Sequence, residues 1–468
     1  MGMGRGKPVG AGGSTPANMV EATTADLTYY VRTTGSDNNT GLATDAALLT
    51  IQKAIDLIPT IVEHEILIDI GEGTFDGFAL TGRFLKFEGK ITVRGTLGQP
   101  TLGGGTATGT ADGGVKNTLE DSGQAWIVNG LRGYLVLIDG EYRVVRNNTA
   151  TAMELVGDYA ANASGKAYEI LEQKTVLDTP SPSGVGYGSV EIRYCCGGRQ
   201  IYLQDIHGIN SYLGVYVTYT TGVYMIRCKV SANTYGIYTS WSTPFGMSLE
   251  DCYVTDSTDT GFIAQGNTIS VFNRVFAYNC GVGIAVYSNT RTELDKVYAD
   301  NNTNHGIYIT SSLNVDFSTA YASGNGKNGL CVVDMLSFID LDGGVFSNNG
   351  IHGISVGVEP GNRVKGSKLN AMGTIECSNN TLSGVAIGWG SQAAFTALTG
   401  SGNGEFGLAF TEDALNASVQ ITSATTITGT SGDAAVDGAT PLTWAGDFAA
   451  NKAIERNANT GAVMMRYD

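Results

Sequence analysis

Between about residues 210 and 410 the apolar and polar positions recur as a fixed unit. Val215, Ile237, Phe262, Ile284, Ile307, Leu330, Ile354, Val385 and Leu408 each follow a glycine. Two positions later comes a second apolar residue: Val217, Ala264, Val286, Ile309, Val332, Val356, Ile387 and Phe410, with Thr239 the exception. Alternation with period two puts both side chains on one face of a strand. The glycines (Gly214, Gly236, Gly261, Gly283, Gly306, Gly329, Gly353, Gly384 and Gly407) are spaced by 22, 25, 22, 23, 23, 24, 31 and 23 residues. A repeat near 23 residues predicts a solenoid, in which each coil buries its face only by stacking on the next.

The rest of the unit supports strands rather than helices. Leu249, Val271, Leu294, Phe317, Leu341 and Phe395 all lie twelve residues before their glycine and predict a second inward column. Asparagine stands four residues before the glycine at Asn210, Asn279, Asn302, Asn325, Asn349, Asn380 and Asn403. It suits a corner because it tolerates left-handed backbone and bonds locally, and stacked amides can bond one another along the axis. The region is rich in Gly, Asn, Thr, Ser, Val and Ile rather than helix formers. The fold class is therefore all-β, a parallel β-helix.

The flanking segments divide the chain further. Residues 1–27 are small, polar and Gly-rich and predict an arm. Residues 28–100 carry the first coils and a short helix near 50–58, whose Ile51, Ala54, Ile55 and Ile58 share one face before Pro59 ends it. Such a helix can cover the open first coil. Residues 101–175 break the repeat. There Tyr134–Ile138 and Glu141–Arg146 flank Asp139-Gly140, a hairpin signal, so this segment predicts a small inserted β domain. The main β-helix then runs over 176–440, with a C-terminal cap or assembly segment over 441–468.

Composition narrows the partners. Lys and Arg number 28 against 44 Asp and Glu, a net charge of −16 with no basic cluster, which argues against nucleic acid. No run approaches the ~20 apolar residues of a membrane span. The opening residues lack the apolar core of a secretory signal. The seven cysteines (Cys195, Cys196, Cys228, Cys252, Cys280, Cys331 and Cys377) show no metal-ligand pairing. They predict free, packed thiols in a chain folded in a reducing cytoplasm.

The segment Tyr29–Pro59, YYVRTTGSDNNTGLATDAALLTIQKAIDLIP, followed by ILIDIGEGTFDG over Ile66–Gly77, resembles the opening of pectate-lyase-like right-handed β-helix proteins. The likeness is especially to those of bacteriophage tailspikes and tail fibres. The N-x-x-x-G-I repeat is similar to that superfamily, and the segment around DSGQAWIVNGLRGYLVLIDGEYRVV resembles small β insertions of phage tail proteins. The resemblance implies a right-handed helix, a homotrimer, and a virion appendage assembled in the host cytoplasm. In that setting the N-terminal arm docks on other tail or baseplate proteins and the β-helix contacts host surface polysaccharide. It carries over no catalytic residue and no cofactor, because the fold hosts lyases, hydrolases, epimerases and structural spikes alike. A free bacterial polysaccharide lyase or glycoside hydrolase, and a purely structural viral spike, stay open as alternatives.

Two residue sets could carry chemistry. Glu293, Asp316 and Asp340 lie thirteen residues before their glycines on three successive coils, and Asp295 is two places beyond Glu293. Their neighbours Leu294, Phe317 and Leu341 face inward, so the acids face outward. Coils about 4.8 Å apart bring acids on neighbouring coils to about 5 Å and those two coils apart to nearly 10 Å. These separations span those used by retaining and inverting glycosidases, and crowding raises carboxyl pKa values. These four are the candidate catalytic residues of a polysaccharide depolymerase. The competing readings are a solvated face, a trimer contact, or a hard-cation site. Tyr216, Tyr238 and Tyr308, outward two residues after their glycines, with Trp241 nearby, are candidate glycan-binding residues through ring stacking, or packing against a neighbouring subunit or loop. His305 and His352 are two coils apart, roughly 10 Å by the strand spacing, too far to share one metal. A corner hydrogen bond is their expected role.

Overall fold

The computed structural model describes residues 21–436 apart from 180–187, 198–199, 242–246, 267–268, 290, 335–336, 359–365, 389, 411–417, 422–425 and 431, together with 464–466. Most of the expected N-terminal arm and of the C-terminal segment lies outside the described residues.

The chain winds into a right-handed parallel β-helix of about 14 turns. Each coil has three strands, as in Arg291–Asp295, Val297–Asp300 and Ile307–Thr310. Each strand pairs in parallel with its counterpart in the coils before and after. The third strands hold Ile284, Ile307, Leu330, Ile354, Val385 and Leu408 in one register. All six are buried in a core that runs unbroken from Tyr29 to Ile427. The apolar residue after each glycine is thus the inward column of the third face.

The second strand was not legible as a period-two pattern. Tyr253–Thr255 and Val297–Asp300 are buried on both faces, so their residues do not alternate. Residues 97–173 explain why. They leave the coil between Lys90–Arg94 and Thr175–Asp178 and form a seven-stranded antiparallel sheet. Leu135–Ile138 and Glu141–Asn148 make the hairpin around Asp139-Gly140. The sheet has its own core about Trp126, Val145 and Ile170. Its other side, with Leu135, Val144 and Leu171, packs on Tyr253, Phe276 and Tyr298 of the second face. Arg146 reaches Asp300 at 2.6 and 3.1 Å and lies over the Tyr298 ring.

Corners turn on single residues with left-handed backbone. After the first strand these are Asp205, Arg227, Asp251, Arg274 and Lys296, and after the second Asn210, Ala232, Asp256, Asn279, Asn301, Asn348 and Asn379. Charges alternate from Asp205 to Arg274 along the first corner, where Arg227 grips Asp205 and Arg274 grips Asp251 through paired hydrogen bonds of 2.7 to 2.9 Å.

The second corner holds the polar spine of the molecule. Asn302, Asn325, Asn349, Asn380 and Asn403 are buried and stacked. The Nδ2 of each of the first four donates to the Oδ1 of the next at 2.9 to 3.0 Å. The same Oδ1 accepts the backbone N–H of the preceding asparagine at 3.0 to 3.2 Å. Asn210 and Asn279 do not belong to this ladder; they are the left-handed residues beside it, and Cys280 occupies the slot, its N–H donating to Asn302 Oδ1 at 2.9 Å. Cys280 stands three residues before its glycine where Asn302 stands four before, so that coil is one residue shorter there. The same shift corrects Val271: it pairs with Glu293 and faces outward, while Phe272 pairs with Leu294 and is buried.

At the N-terminal end the helix Ile51–Asp56 packs Ile51, Ala54 and Ile55 on the first coil, with Thr50 Oγ1 capping the N–H of Lys53. The cysteines are free thiols, all buried except Cys196. His352 Nδ1 accepts the N–H of Ser383 at 3.2 Å, a corner bond as expected. His305 departs from that expectation, for neither ring nitrogen finds a partner among the described residues. Burial lowers the pKa of both to about 4.

Replacing Asn349 by Ala would strand the N–H and one Nδ2 hydrogen of Asn325 in the core, at about 1–3 kcal/mol for each buried orphan. Asn349→Ala should therefore lower unfolding stability by about 3 kcal/mol. Asn210→Gly, which keeps the left-handed corner, should change it by less than about 1 kcal/mol. Denaturant midpoints of the two variants check the ladder.

Candidate functional site

The acidic residues lie on the first face. The register pairs Glu293 with Asp316 and Asp316 with Asp340, so the three form one outward column. Arg291 binds Glu293 at 2.7 Å and approaches Asp316 at 3.8 Å. Asn370 Nδ2 donates to Asp340 at 2.9 Å. Asp295, two residues along from Glu293, accepts from the Ser318 hydroxyl. Burial, then the neighbouring Asp340, raises the pKa of Asp316, with Glu293 and Asp342 adding to it and Arg291 opposing. Among the described residues no group of three or more acidic, histidine or cysteine side chains is placed to hold a metal ion.

The tyrosines lie on the third face. Leu213–Thr218, Tyr235–Ser240, Thr260–Gln265 and Val282–Tyr287 stack to form the floor of a cleft of about 580 Å³. Its walls are Tyr212, Tyr216, Tyr235, Tyr238 and Tyr287, with Asp259 and Gln265 at the rim. Tyr216 and Tyr238 are register partners with ring centroids 5.5 Å apart, and Tyr212 meets Tyr235 edge-on at 5.5 Å. The rings are held rather than free to rotate. Tyr216 shares a hydrogen bond with Ser240 at 3.2 Å, and Tyr238 donates to Gln265. Arg193, ion-paired with Glu191 at 2.6 Å, covers the Tyr216 ring at 5.2 Å. Burial, then the Asp259 carboxylate, raises the Tyr235 pKa, so the phenol keeps its proton. Such a surface offers ring faces and hydroxyl donors in fixed positions, which suits stacking and hydrogen bonding rather than proton transfer.

The two sets lie on different faces: the acids sit on first strands, while Tyr216 and Tyr238 are on third strands of earlier coils and Tyr308 is on the third strand of the coil that carries Glu293. Within the glycan-binding set, Tyr216 and Tyr238 share the cleft. Tyr308 lies on the same face farther along, its ring 5.9 Å from Tyr287 and 5.4 Å from His305. Trp241 stands at the corner after its strand, 56% exposed. Sequence reasoning missed Tyr212, Tyr235 and Tyr287, which do not sit two residues after a glycine. The density of tyrosine between residues 212 and 241 could have found Tyr212 and Tyr235, but not Tyr287.

A family model described as a right handed beta helix region matches residues 213–369. No curated protein matches the chain. Among solved structures, the A-module of mannuronan C-5 epimerase AlgE4 from Azotobacter vinelandii aligns with a TM-score of 0.52 at 14% identity, covering 82% of this chain and 92% of that one. The AlgE6 A-module from the same organism gives 0.39 at 18% identity over 56% of this chain and 89% of that one. The Gp54 tailspike of Acinetobacter baumannii bacteriophage AP22, in complex with capsular saccharide, gives 0.22 at 11% identity over 80% and 74%. The first likeness concerns the fold, whose outer surface each protein equips for itself.

The raised pKa of Asp316 means that its ionised form is held at a cost in the folded state. That cost is absent below the ordinary carboxylate range, where both states are protonated, and is complete once pH exceeds the raised value. Asp316→Asn should therefore raise the unfolding midpoint at pH 7 and lose that advantage near pH 3. An equal effect at both pH values would contradict the crowding.

Proposed function

We propose that this protein is a bacteriophage virion appendage, a tailspike or tail fibre, whose β-helix contacts host cell-surface polysaccharide at the tyrosine cleft. The carrying observation is the cleft itself: five tyrosines held at fixed spacing on the outside of a rigid solenoid. Sugar rings stack on aromatic faces through their apolar side while their hydroxyls reach phenols and amides. Tyr216 and Tyr238 are the central contacts in this reading, with Tyr308 extending it along the face and Trp241 at the adjoining corner. The viral setting rests on the resemblance of Tyr29–Gly77 and implies a homotrimer on the particle, docked through the N-terminal arm.

A second reading adds cleavage of the bound glycan at the acidic column. Asp316, with its raised pKa between Glu293 and Asp340, would serve as general acid, and a neighbouring carboxylate, Glu293, Asp340 or Asp295, as base or nucleophile. The raised pKa of Asp316 favours it. The separation of the acids from the cleft means that a polymer would have to span both faces.

The purified chain, 48.9 kDa by sequence, should run near three chains by light scattering and bind at least one polysaccharide in a panel of bacterial capsules and O-antigens. Tyr216→Ala and Tyr238→Ala should each weaken that binding about tenfold, equivalent to about 1.4 kcal/mol. Unchanged affinity in both variants would remove the cleft from the reading. If the wild type releases reducing ends from the bound glycan, the double variant Asp295→Asn with Asp316→Asn should stop it. Continued release would remove the acidic column.

A further inference from the structure

Three large aromatic residues occupy backbone positions that favour glycine. Tyr194, Tyr219 and Trp241 are the corner residues after the third strand in three successive coils, with φ of 53, 48 and 49°. Later coils place Gly266, Ser288, Ser311 and Asp334 there. Left-handed backbone is unfavourable for a bulky side chain, and such residues persist where something else requires them. Core packing does not, since the three are 59, 49 and 56% exposed. The Tyr194 and Tyr219 rings lie 5.4 Å apart and within 5° of parallel. Two of the three, Tyr194 and Trp241, directly follow a residue that fixes the cleft. Arg193 covers Tyr216, and Ser240 bonds Tyr216. Gln265, which accepts from Tyr238, precedes Gly266, the corner of the following coil. Among the described residues lining the cleft, Asp259 carries the one charge.

We infer that Tyr194, Tyr219 and Trp241 form a second subsite, continuous with the tyrosine cleft, that holds an extended run of uncharged sugar rings along the helix axis. The coil spacing of roughly 5 Å is close to the length of one pyranose ring, so the stacked Tyr194 and Tyr219 can offer their edges and hydroxyls, and Trp241 its indole, to successive sugars. Among the described residues the nearby cations are already engaged: Arg193 pairs with Glu191 and covers a tyrosine face, and Arg83, beside the corner of the preceding coil, donates to the Thr81 and Ile55 carbonyls, an arrangement that does not favour a polyanion. The inference deepens the glycan-binding reading and rests on it.

The test uses the full chain, a polysaccharide panel that includes neutral polymers and polyuronates, and size-graded fragments of whichever polymer binds. The variants are Tyr219→Gly and Trp241→Gly, because glycine keeps the left-handed corner and leaves the fold in place. Expected results are a neutral binder, about tenfold weaker binding of long fragments by each variant, unchanged binding of the shortest fragment that binds, and an unfolding midpoint close to the wild type. Tyr238→Ala, by contrast, should weaken long and short fragments alike. Equal affinity of wild type and both glycine variants for long fragments overturns the second subsite and leaves the cleft standing, as does preferential binding of a polyuronate for the charge argument. A lower solution mass in the variants overturns it in favour of a subunit contact. Failure of the wild type to bind any member of the panel overturns both readings.

Discussion

A strand inside a parallel β-helix has both edges occupied, because its N–H and C=O groups bond the coil before and the coil after. A slip of one residue would turn every inward side chain outward. The register is therefore the constraint on which the rest depends, and it has to be defended most where strands end and backbone groups lose their ladder partners. The stacked asparagines do this at the second corner. Each places two donors and one doubly used acceptor where the backbone turns, and every amide is satisfied only if its neighbours are in register. The alternating charges at the first corner act in the same sense, since Arg227 on Asp205 and Arg274 on Asp251 tie consecutive coils at one point.

The same constraint explains what could be read from the sequence. The third face repeats a glycine and two apolar residues, and the first face an apolar residue twelve positions earlier, because a one-sided strand must alternate. The second face escaped because Tyr253, Phe276 and Tyr298 are covered from outside by the inserted sheet, and a strand buried on both sides carries no period. Asn210, Asn279 and Val271 were misplaced by one cause, a corner shortened by one residue, which a count from the glycine cannot register. The Asp139-Gly140 hairpin was legible because its turn chemistry is local, whereas the docking of Arg146 on Asp300 joins residues 154 apart in sequence.

At the candidate site, legibility followed the register again. Glu293, Asp316 and Asp340 could be placed in one outward column because strand pairing alone puts them there. Tyr216 and Tyr238 could be placed likewise. What the repeat could not supply is the relation between columns. The cleft also needs Tyr212, Tyr235 and Tyr287, which lie before, at the start and at the end of their third strands, positions that a count from the glycine does not single out. The distance between the acids and the tyrosines is likewise a property of the winding, invisible to any count along the chain.

These limits bear on how such a surface could recognise a polymer. Ring spacing along the axis is set by backbone hydrogen bonds, not by side-chain choice, so aromatic rows on stacked coils are pre-organised and lose little freedom on binding. Hydrogen bonds to Ser240 and Gln265 fix the orientation of Tyr216 and Tyr238 as well as their spacing. A repeating ligand can then match a repeating protein, each added coil offering the same contact again. In this view the places where the repeat departs from its own rule are the informative ones. Glycine, serine and aspartate satisfy the third corner at little cost at Gly82 and from Gly266 onward, and the three coils between accept strained Tyr194, Tyr219 and Trp241 instead. A fold held together by uniformity has little reason to break it except where something outside the coil is to be met.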